Sequence, residues 1–327
     1  MKKIALYGMF SPAVRRMFRE ELPDRYEIVE FENGEDMEKL IDADFMINRS
    51  YPVNDAVFAH APRLELVQKW GAGYDKIDVK TAGARGISVA VCLGGNSEPV
   101  AELAVLLMMA VYRNLLPLNR RLMEGEWARD QYIAKSFMLR GKTVGLLGLG
   151  SIGQKTGKIL KRGFDAQIQY HDLLRLPEEK ELTLGFQFVD LETLLRTSDI
   201  ISLHIPLFES TRNMIDAAAF DKMKPSAVVI NTSRGGVIDE TALYDALKAG
   251  KIAGAGLDTL AVEPIAPSCP LLRLENVVLT PHCGGNTADN DINMVRCCVE
   301  NILQYERDGR LAPPVLVNQE ELKVLHR

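Results

Sequence analysis

Residues 142–172 read KTVGLLGLGSIGQKTGKILKRGFDAQIQYHD. An apolar run leads into glycines at 148, 150 and 153, a helical segment follows, and a second apolar run ends in an acid. Few arrangements other than a parallel strand–helix–strand unit accommodate this order. In such a unit Gly148 permits the tight turn, Gly150 lets the main chain approach a pyrophosphate, and Gly153 lets helix and strand pack closely. The helix amino terminus, at Ser151 and Ile152, favours phosphate charge.

Asp172 lies 19 residues beyond Gly153 and ends the next apolar run. There it can accept hydrogen bonds from ribose hydroxyls and would repel a 2′-phosphate, which predicts NAD (as NADH) rather than NADP. Arg175 nearby leaves NADP open, because an arginine can accommodate that phosphate.

The same rhythm runs through the chain. In the first hundred residues KIALYG, YEIVEF, FMINR, LELVQKWG and ISVAVC read as strands. SPAVRRMFREEL, GEDMEKLIDA and DKIDVKTAGARG read as helices between them. A long helix starts near Ser97 and Pro99. After Gly141 the strands are TVGLLGLG, AQIQYHD, DIISLHIP, AVVINTS, IAGAGLD and NVVLTPH, with SIGQKTGKILKRG a helix ending at its glycine. Such alternation predicts an α/β protein with parallel sheets. Ligands of open parallel sheets bind outside the carboxyl ends of the strands. The candidate rim is therefore Asp172, His204, Thr232, Ser233, Arg234, Asp258 and His282. The segment NTADNDINMVRCCVENILQYERDGR reads as one helix able to return to the first domain. The expected layout is a discontinuous domain, 1–98 plus 289–327, with a second domain, 99–288, inserted.

A chain of 327 residues suffices for two such domains. Its net charge of −5 argues against a nucleic-acid surface. The five cysteines have neither framework nor zinc-ligand spacing, so no metal site is expected and a reducing cytoplasm is the simplest setting. The opening MKKIALYGMF has too short an apolar core for a signal peptide and reads as a first strand. Leu103–Tyr112 is too short to cross a bilayer and reads as a helix buried between domains or subunits. No membrane partner is expected.

The chemistry centres on VVLTPHCGGNT, where one of five histidines follows a strand-like run. A carboxylate bonded to one imidazole nitrogen orients the ring and favours its charged form, so the other nitrogen can carry a proton. Glu263, in AVEP, can be that carboxylate for His282. Arg234, in NTSRGG, offers a fork of donors matching a carboxylate. Gly284 and Gly285 give main-chain room behind the histidine, beside the nicotinamide. A cofactor site, a carboxylate clamp and an acid–base histidine together describe hydride transfer to a 2-oxo acid.

These segments, with WGAGYDKID (70–78), NSEPVAELAV, HIPLFESTRNMI and MKPSAVVINTSRGGVIDETALYDALKAGKIAGAGLD, resemble the NAD-dependent D-isomer-specific 2-hydroxyacid dehydrogenases through most of the chain. The resemblance implies two Rossmann- or flavodoxin-like domains with the active site in the cleft, the inserted one carrying the cofactor, usually as a homodimer. It implies a catalytic trio of Arg234, Glu263 and His282, acting on a small 2-oxo or 2-hydroxy acid. Asp258 would face the nicotinamide carboxamide, with Thr232 and the main chain around Ser233 near the same ring. His204 and Pro206 would line the adenosine side, and the amides around Ala72 and Gly73 would meet the substrate carboxylate. The helix from Pro99 and the arm RLMEGEWARDQYIAKSF (121–137) resemble the family's dimer contacts. Two departures stand out: LDTLAVEP, and Cys283 beside the histidine. Glu263 counts against formate, since the formate-oxidising branch has glutamine there. Two alternatives remain open at this point. One is an NAD-sensing corepressor-like protein. The other is a phosphoglycerate dehydrogenase in which Arg49, in INRSYP, meets an anionic tail.

Overall fold

The computed structural model describes residues 1–31 and 36–323, and the chain divides into two compact units, Met1–Asn96 with Asn286–Arg327, and Ser97–Gly285. In the first unit the strands are β1 (Lys2–Tyr7), β2 (Tyr26–Glu30), β3 (Phe45–Asn48), β4 (Leu66–Lys69) and β5 (Ser88–Val91). They form a parallel sheet in the order β2-β1-β3-β4-β5, the doubly wound order of flavodoxin-like folds. Strands β3, β4 and β5 are buried throughout, so they lack the alternation of a half-exposed strand, and β4 buries even Gln68 and Lys69. Ser11 caps the helix Pro12–Glu21 by accepting from the Val14 amide at 3.3 Å.

The helix Ala288–Asp308 belongs to this first unit. Its Met294, Val295, Cys298, Val299 and Ile302 pack into one core with Ile4, Leu6 and Phe45. Asn301 Nδ2 donates to Gln68 Oε1 at 2.9 Å, and Tyr305 Oη donates to the Glu65 carbonyl at 3.2 Å. The chain beyond it runs antiparallel to β5, where Val91 N donates to Val315 O and Val317 N to Val89 O. The edge of the sheet is thereby covered.

Two helix expectations need correction here. GEDMEKLIDA yields only the 3₁₀ turn Met37–Leu40, whose Asp36 makes no side-chain cap; residues 34 and 35 of that segment lie outside the described residues. DKIDVKTAGARG yields only Val79–Ala84, started by Asp78 accepting from the Thr81 amide. The terminal residues 324–327 of the expected first domain also lie outside the described residues.

In the second unit the strands are β6 (Thr143–Leu147), β7 (Gln167–His171), β8 (Phe186–Phe188), β9 (Ile200–Leu203), β10 (Val228–Asn231), β11 (Gly254–Leu257) and β12 (Val277–Leu279). All are parallel, in the order β12-β11-β10-β9-β6-β7-β8. The chain winds outward from β6 through β7 to β8, then returns to the other side of β6 with β9. That reversal makes β6 a topological switch point. Strand β8 has no sequence signature, because Phe-Gln-Phe is too short to show a period. The helix Ser151–Phe164 does not stop at Gly163; it stops at Asp165, which takes the left-handed conformation at φ 52°. A short polar side chain tolerates that region.

The apolar run Leu103–Tyr112 was expected between domains or subunits. Much of it instead packs within its own unit: Ala104, Leu107 and Met108, fully or almost fully buried, lie in one core with Val144, Leu146 and Ile230. Among the described residues no single helix is long and apolar enough to cross a membrane.

The register of the second sheet fixes where its chemistry can lie. Leu147 pairs with His171 and Leu203, Asn231 with Leu203 and Leu257, and Leu257 with Leu279. These six residues are level across the sheet. The residues that follow them, from Gly148 to Thr280, therefore line one edge.

Candidate active site

At the switch point the glycines divide the work as their spacing suggests. Gly148 has φ +93°, and a Cβ on it would lie 2.7 Å from the His204 carbonyl oxygen. A Cβ on Gly153 would lie 2.3 Å from the Gly148 oxygen, so only glycine lets the helix sit this close to the turn. Among the described residues a Cβ on Gly150 would meet nothing within 4 Å. Gly150 is also the cap residue of the 14-residue helix, makes no side-chain cap bond, and is followed by no acid in the first turn. An uncapped helix terminus behind an open glycine fits a dinucleotide pyrophosphate.

Asp172 stands where the motif requires an acid, at the end of β7. Its Oδ2 accepts from the Leu149 amide at 2.6 Å and its Oδ1 from the Leu174 amide at 3.3 Å. One carboxylate thus ties the glycine turn to the loop after β7. Leu173 and Leu174 are almost fully exposed. His204 borders the glycine turn with its main chain at Gly148 and its Cβ at Gly153. Its Nε2 lies 2.9 Å from Ser202 Oγ, and its Nδ1 is buried without a hydrogen-bond partner among the described residues. Burial pushes the imidazole down to about 4, so it is neutral at physiological pH. Pro206, two residues on, is exposed.

The loop after β10 presents Arg234 through Asn231, which is fully buried. Asn231 Oδ1 accepts from the Ser233 amide at 2.9 Å and the Ser233 hydroxyl at 2.8 Å, while its Nδ2 donates to the Arg234 carbonyl at 2.9 Å. Arg234 Nη1 donates to the Ser233 carbonyl at 2.8 Å. A Cβ on Gly235 would lie 1.9 Å from the Leu260 carbonyl carbon, so this loop rests directly on the one leading to Glu263. The Glu240 carboxylate supports that second loop by accepting from the Ala261 amide at 2.6 Å.

Glu263 and His282 meet: Nδ1 and Oε2 are 2.8 Å apart, and Glu263 Oε1 also accepts from the Leu260 amide at 3.1 Å. An ionised carboxylate only accepts, so Nδ1 carries the hydrogen and Nε2 is left for other chemistry. The His282 side chain is 48% exposed, so that face is open. His282 holds φ +51°, a conformation rarely adopted by a residue with a side chain.

Asp258 has a part here that its sequence setting does not announce. It is only 2% exposed, and its carboxylate binds the His282 turn. Oδ1 accepts from the Thr280 hydroxyl at 2.7 Å and the Cys283 amide at 2.9 Å; Oδ2 accepts from the Gly284 amide at 2.9 Å. The main chain agrees, with the His282 amide donating to the Asp258 carbonyl at 2.8 Å. Gly284 is buried against this carboxylate, and Gly285 follows it half-buried. Burial first, and then the Asp258 charge, push the Cys283 thiol up, which keeps it protonated and unreactive. Thr232 and Thr259 each bury a hydroxyl oxygen without a partner among the described residues.

The remaining candidates lie on the first unit. Arg49 follows β3; its Nη1 donates to the Met9 carbonyl at 3.1 Å and its Nη2 to Asn286 Oδ1 at 3.2 Å. Its guanidinium also lies 5.7 Å from the Phe10 ring and 5.5 Å from the Trp70 ring. Ala72 and Gly73 are half-buried in the turn after β4. Among the described residues no group of three or more His, Cys, Asp or Glu could hold a metal ion.

Sequence reasoning missed Asn231, Gly235 and the Asp258 hydrogen bonds. An asparagine leaving a buried strand just before Thr-Ser is a turn signal that could have found the first.

A sequence model described as "D-isomer specific 2-hydroxyacid dehydrogenase, NAD binding domain" matches residues 105–284. The chain is 40% identical over 311 residues to the glyoxylate reductase of Korarchaeum cryptofilum, covering 94% of this chain and 90% of that protein. It is 40% identical over 261 residues to the hydroxypyruvate reductase of Thermotoga maritima, covering 79% and 83%. The solved NADPH-dependent glyoxylate/hydroxypyruvate reductase of Sinorhizobium meliloti, in complex with citrate, is similar at a TM-score of 0.84 and 31% identity, covering 98% and 99%.

Proposed function

The chain belongs to the D-isomer-specific 2-hydroxyacid dehydrogenase family, and we propose that it reduces glyoxylate or hydroxypyruvate to the D-2-hydroxy acid, reversibly, with NADH. The observation that carries this reading is the 2.8 Å contact between His282 Nδ1 and Glu263 Oε2, on the same strand edge as Arg234 and the glycine turn. Gly150, Ser151 and Ile152 offer main-chain groups to the pyrophosphate, and Asp172 takes the ribose hydroxyls. His204 and Pro206 flank the adenosine with main chain and ring carbons. Thr232, Ser233, Asp258, Gly284 and Gly285 surround the nicotinamide. Ser97–Gly285 forms the cofactor domain, and Met1–Asn96 with Asn286–Arg327 forms the substrate domain.

Bound there, the dinucleotide supplies the hydride. Arg234 holds the substrate carboxylate with its guanidinium fork and polarises the carbonyl. His282 delivers the proton from Nε2 to the carbonyl oxygen as that oxygen gains charge. Glu263 holds the ring and offsets its positive charge. The Ala72 and Gly73 amides, and Arg49 for a substrate with a second polar group, complete the recognition. The relatives that reduce glyoxylate and hydroxypyruvate favour this over a corepressor-like or phosphoglycerate reading.

A homodimer and a cytoplasmic setting belong to the same proposal. Trp127, Leu122, Met123, Ile133 and Met138 are exposed apolar residues on or beside one arm, a surface suited to a second copy of this chain. The experiment that tests the function is a steady-state panel: NADH oxidation with glyoxylate, hydroxypyruvate and pyruvate, and the same with NADPH. Turnover of glyoxylate or hydroxypyruvate with NADH is expected. Tight NADH binding with turnover of none of them would favour the sensing alternative.

A further inference from the structure

Arg175 stands three residues after Asp172, where a guanidinium could meet a 2′-phosphate. Its contacts point it elsewhere. Nε donates to Glu181 Oε1 at 3.0 Å and Nη2 to Glu181 Oε2 at 2.8 Å, a bidentate fork. Glu181, in the helix Glu178–Leu184, is only 7% exposed, and its Oε1 also accepts from the Tyr170 hydroxyl at 2.5 Å. That hydroxyl in turn accepts from the Leu176 amide at 2.9 Å, which ties the loop down onto β7.

The guanidinium lies 5.4 Å from the centre of the Phe188 ring. Phe188 is on β8, which flanks β7 on the side away from β6. Arg175 is thus drawn to the side of β7 opposite the glycine turn. The bonds from Arg175, and then Tyr170, pull the Glu181 carboxyl down to about 2, so the pair is ionised throughout the physiological range. Releasing Arg175 would leave a nearly buried carboxylate without its cation, which is strongly unfavourable.

We propose that Glu181 is a specificity-determining residue for the coenzyme: it withdraws Arg175 from the ribose edge, so that a 2′-phosphate meets the Asp172 carboxylate without the Arg175 guanidinium beside it. This rests on the reading that Asp172 takes the ribose. It assigns cofactor choice to a pair of residues, one that repels and one that sequesters, rather than to the acid alone.

The test is kcat/KM for NADH and NADPH, with glyoxylate, in the unaltered protein and in Arg175→Ala, Glu181→Gln and the double variant. Arg175→Ala alone leaves NADPH use within about twofold, because the guanidinium is already engaged. Glu181→Gln raises NADPH kcat/KM about tenfold, the worth of one charge-assisted hydrogen bond, and leaves NADH within about twofold. The double variant loses that gain. A gain that persists without Arg175 would reflect removal of a negative charge and overturn the proposal, as would a loss of NADPH use in Arg175→Ala alone. If Glu181→Gln does not fold, Tyr170→Phe loosens the carboxylate and gives a gain of about threefold that again requires Arg175. An unaltered protein that prefers NADPH would contradict the reading of Asp172 itself, and it is scored before any variant is made.

Discussion

His282 sits at φ +51° because its neighbours leave it little choice. Its amide donates to the Asp258 carbonyl, and the amides of Cys283 and Gly284 converge on the Asp258 carboxylate. A residue held in the left-handed region costs about 1–3 kcal/mol and persists only where such bonds over-determine it. Asp258→Asn therefore has a definite consequence. An amide group replaces an oxygen that accepts, so a donor faces a donor inside a buried turn. The expected result is a loss of about 3 kcal/mol of stability by denaturant unfolding, with lower turnover at saturating NADH. Unchanged turnover would mean that the His282 turn holds itself. At this scale Arg234 and His282 stood out by residue type and strand-end placement, Glu263 as a carboxylate for His282, and their grouping as a trio came from the family resemblance; the structure adds the 2.8 Å contact between Glu263 and His282. Asp258 and Asn231 were named only as a ligand contact or not at all. Their work is done through hydrogen bonds to main-chain groups, which leave no spacing pattern in a sequence.

Among the elements, the glycine turn and the helix Ser151–Phe164 carry the most. The helix must approach the turn until no side chain fits at Gly153. Gly153→Ala would push helix and turn apart, and overpacking of about 1–3 kcal/mol at this point is expected to raise the KM for NADH about tenfold or more. Gly163→Ala is the matched control, since among the described residues nothing lies within 4 Å of its added carbon. It should leave that KM unchanged and stabilise the helix by up to about 1 kcal/mol. Equal effects from the two substitutions would remove the close approach from the account. The strongly apolar parallel strands were legible, because burial on both faces writes a continuous run. Strand β8, the Asp165 cap and the shortened helices were not. They are decided by three or four residues at a time, and there tertiary packing overrides local preference.

For the whole molecule, two parallel sheets of different winding order stand in one chain, and the helix Ala288–Asp308 returns to the unit where the chain began. That return was legible because one long amphipathic segment follows the last strand of the second sheet. The covering of β5 by residues 315–318 was not, because it rests on an antiparallel pairing with no turn signal before it. The reaction class follows from the family, and the proposed substrate is argued from relatives. The proton donor rests on one pair of residues in one unit. The most direct measurement is glyoxylate reduction by His282→Ala, set beside NADH binding followed by fluorescence titration. The account predicts a fall in kcat of about a thousandfold or more, with NADH affinity unchanged. Turnover near that of the unaltered protein would contradict it.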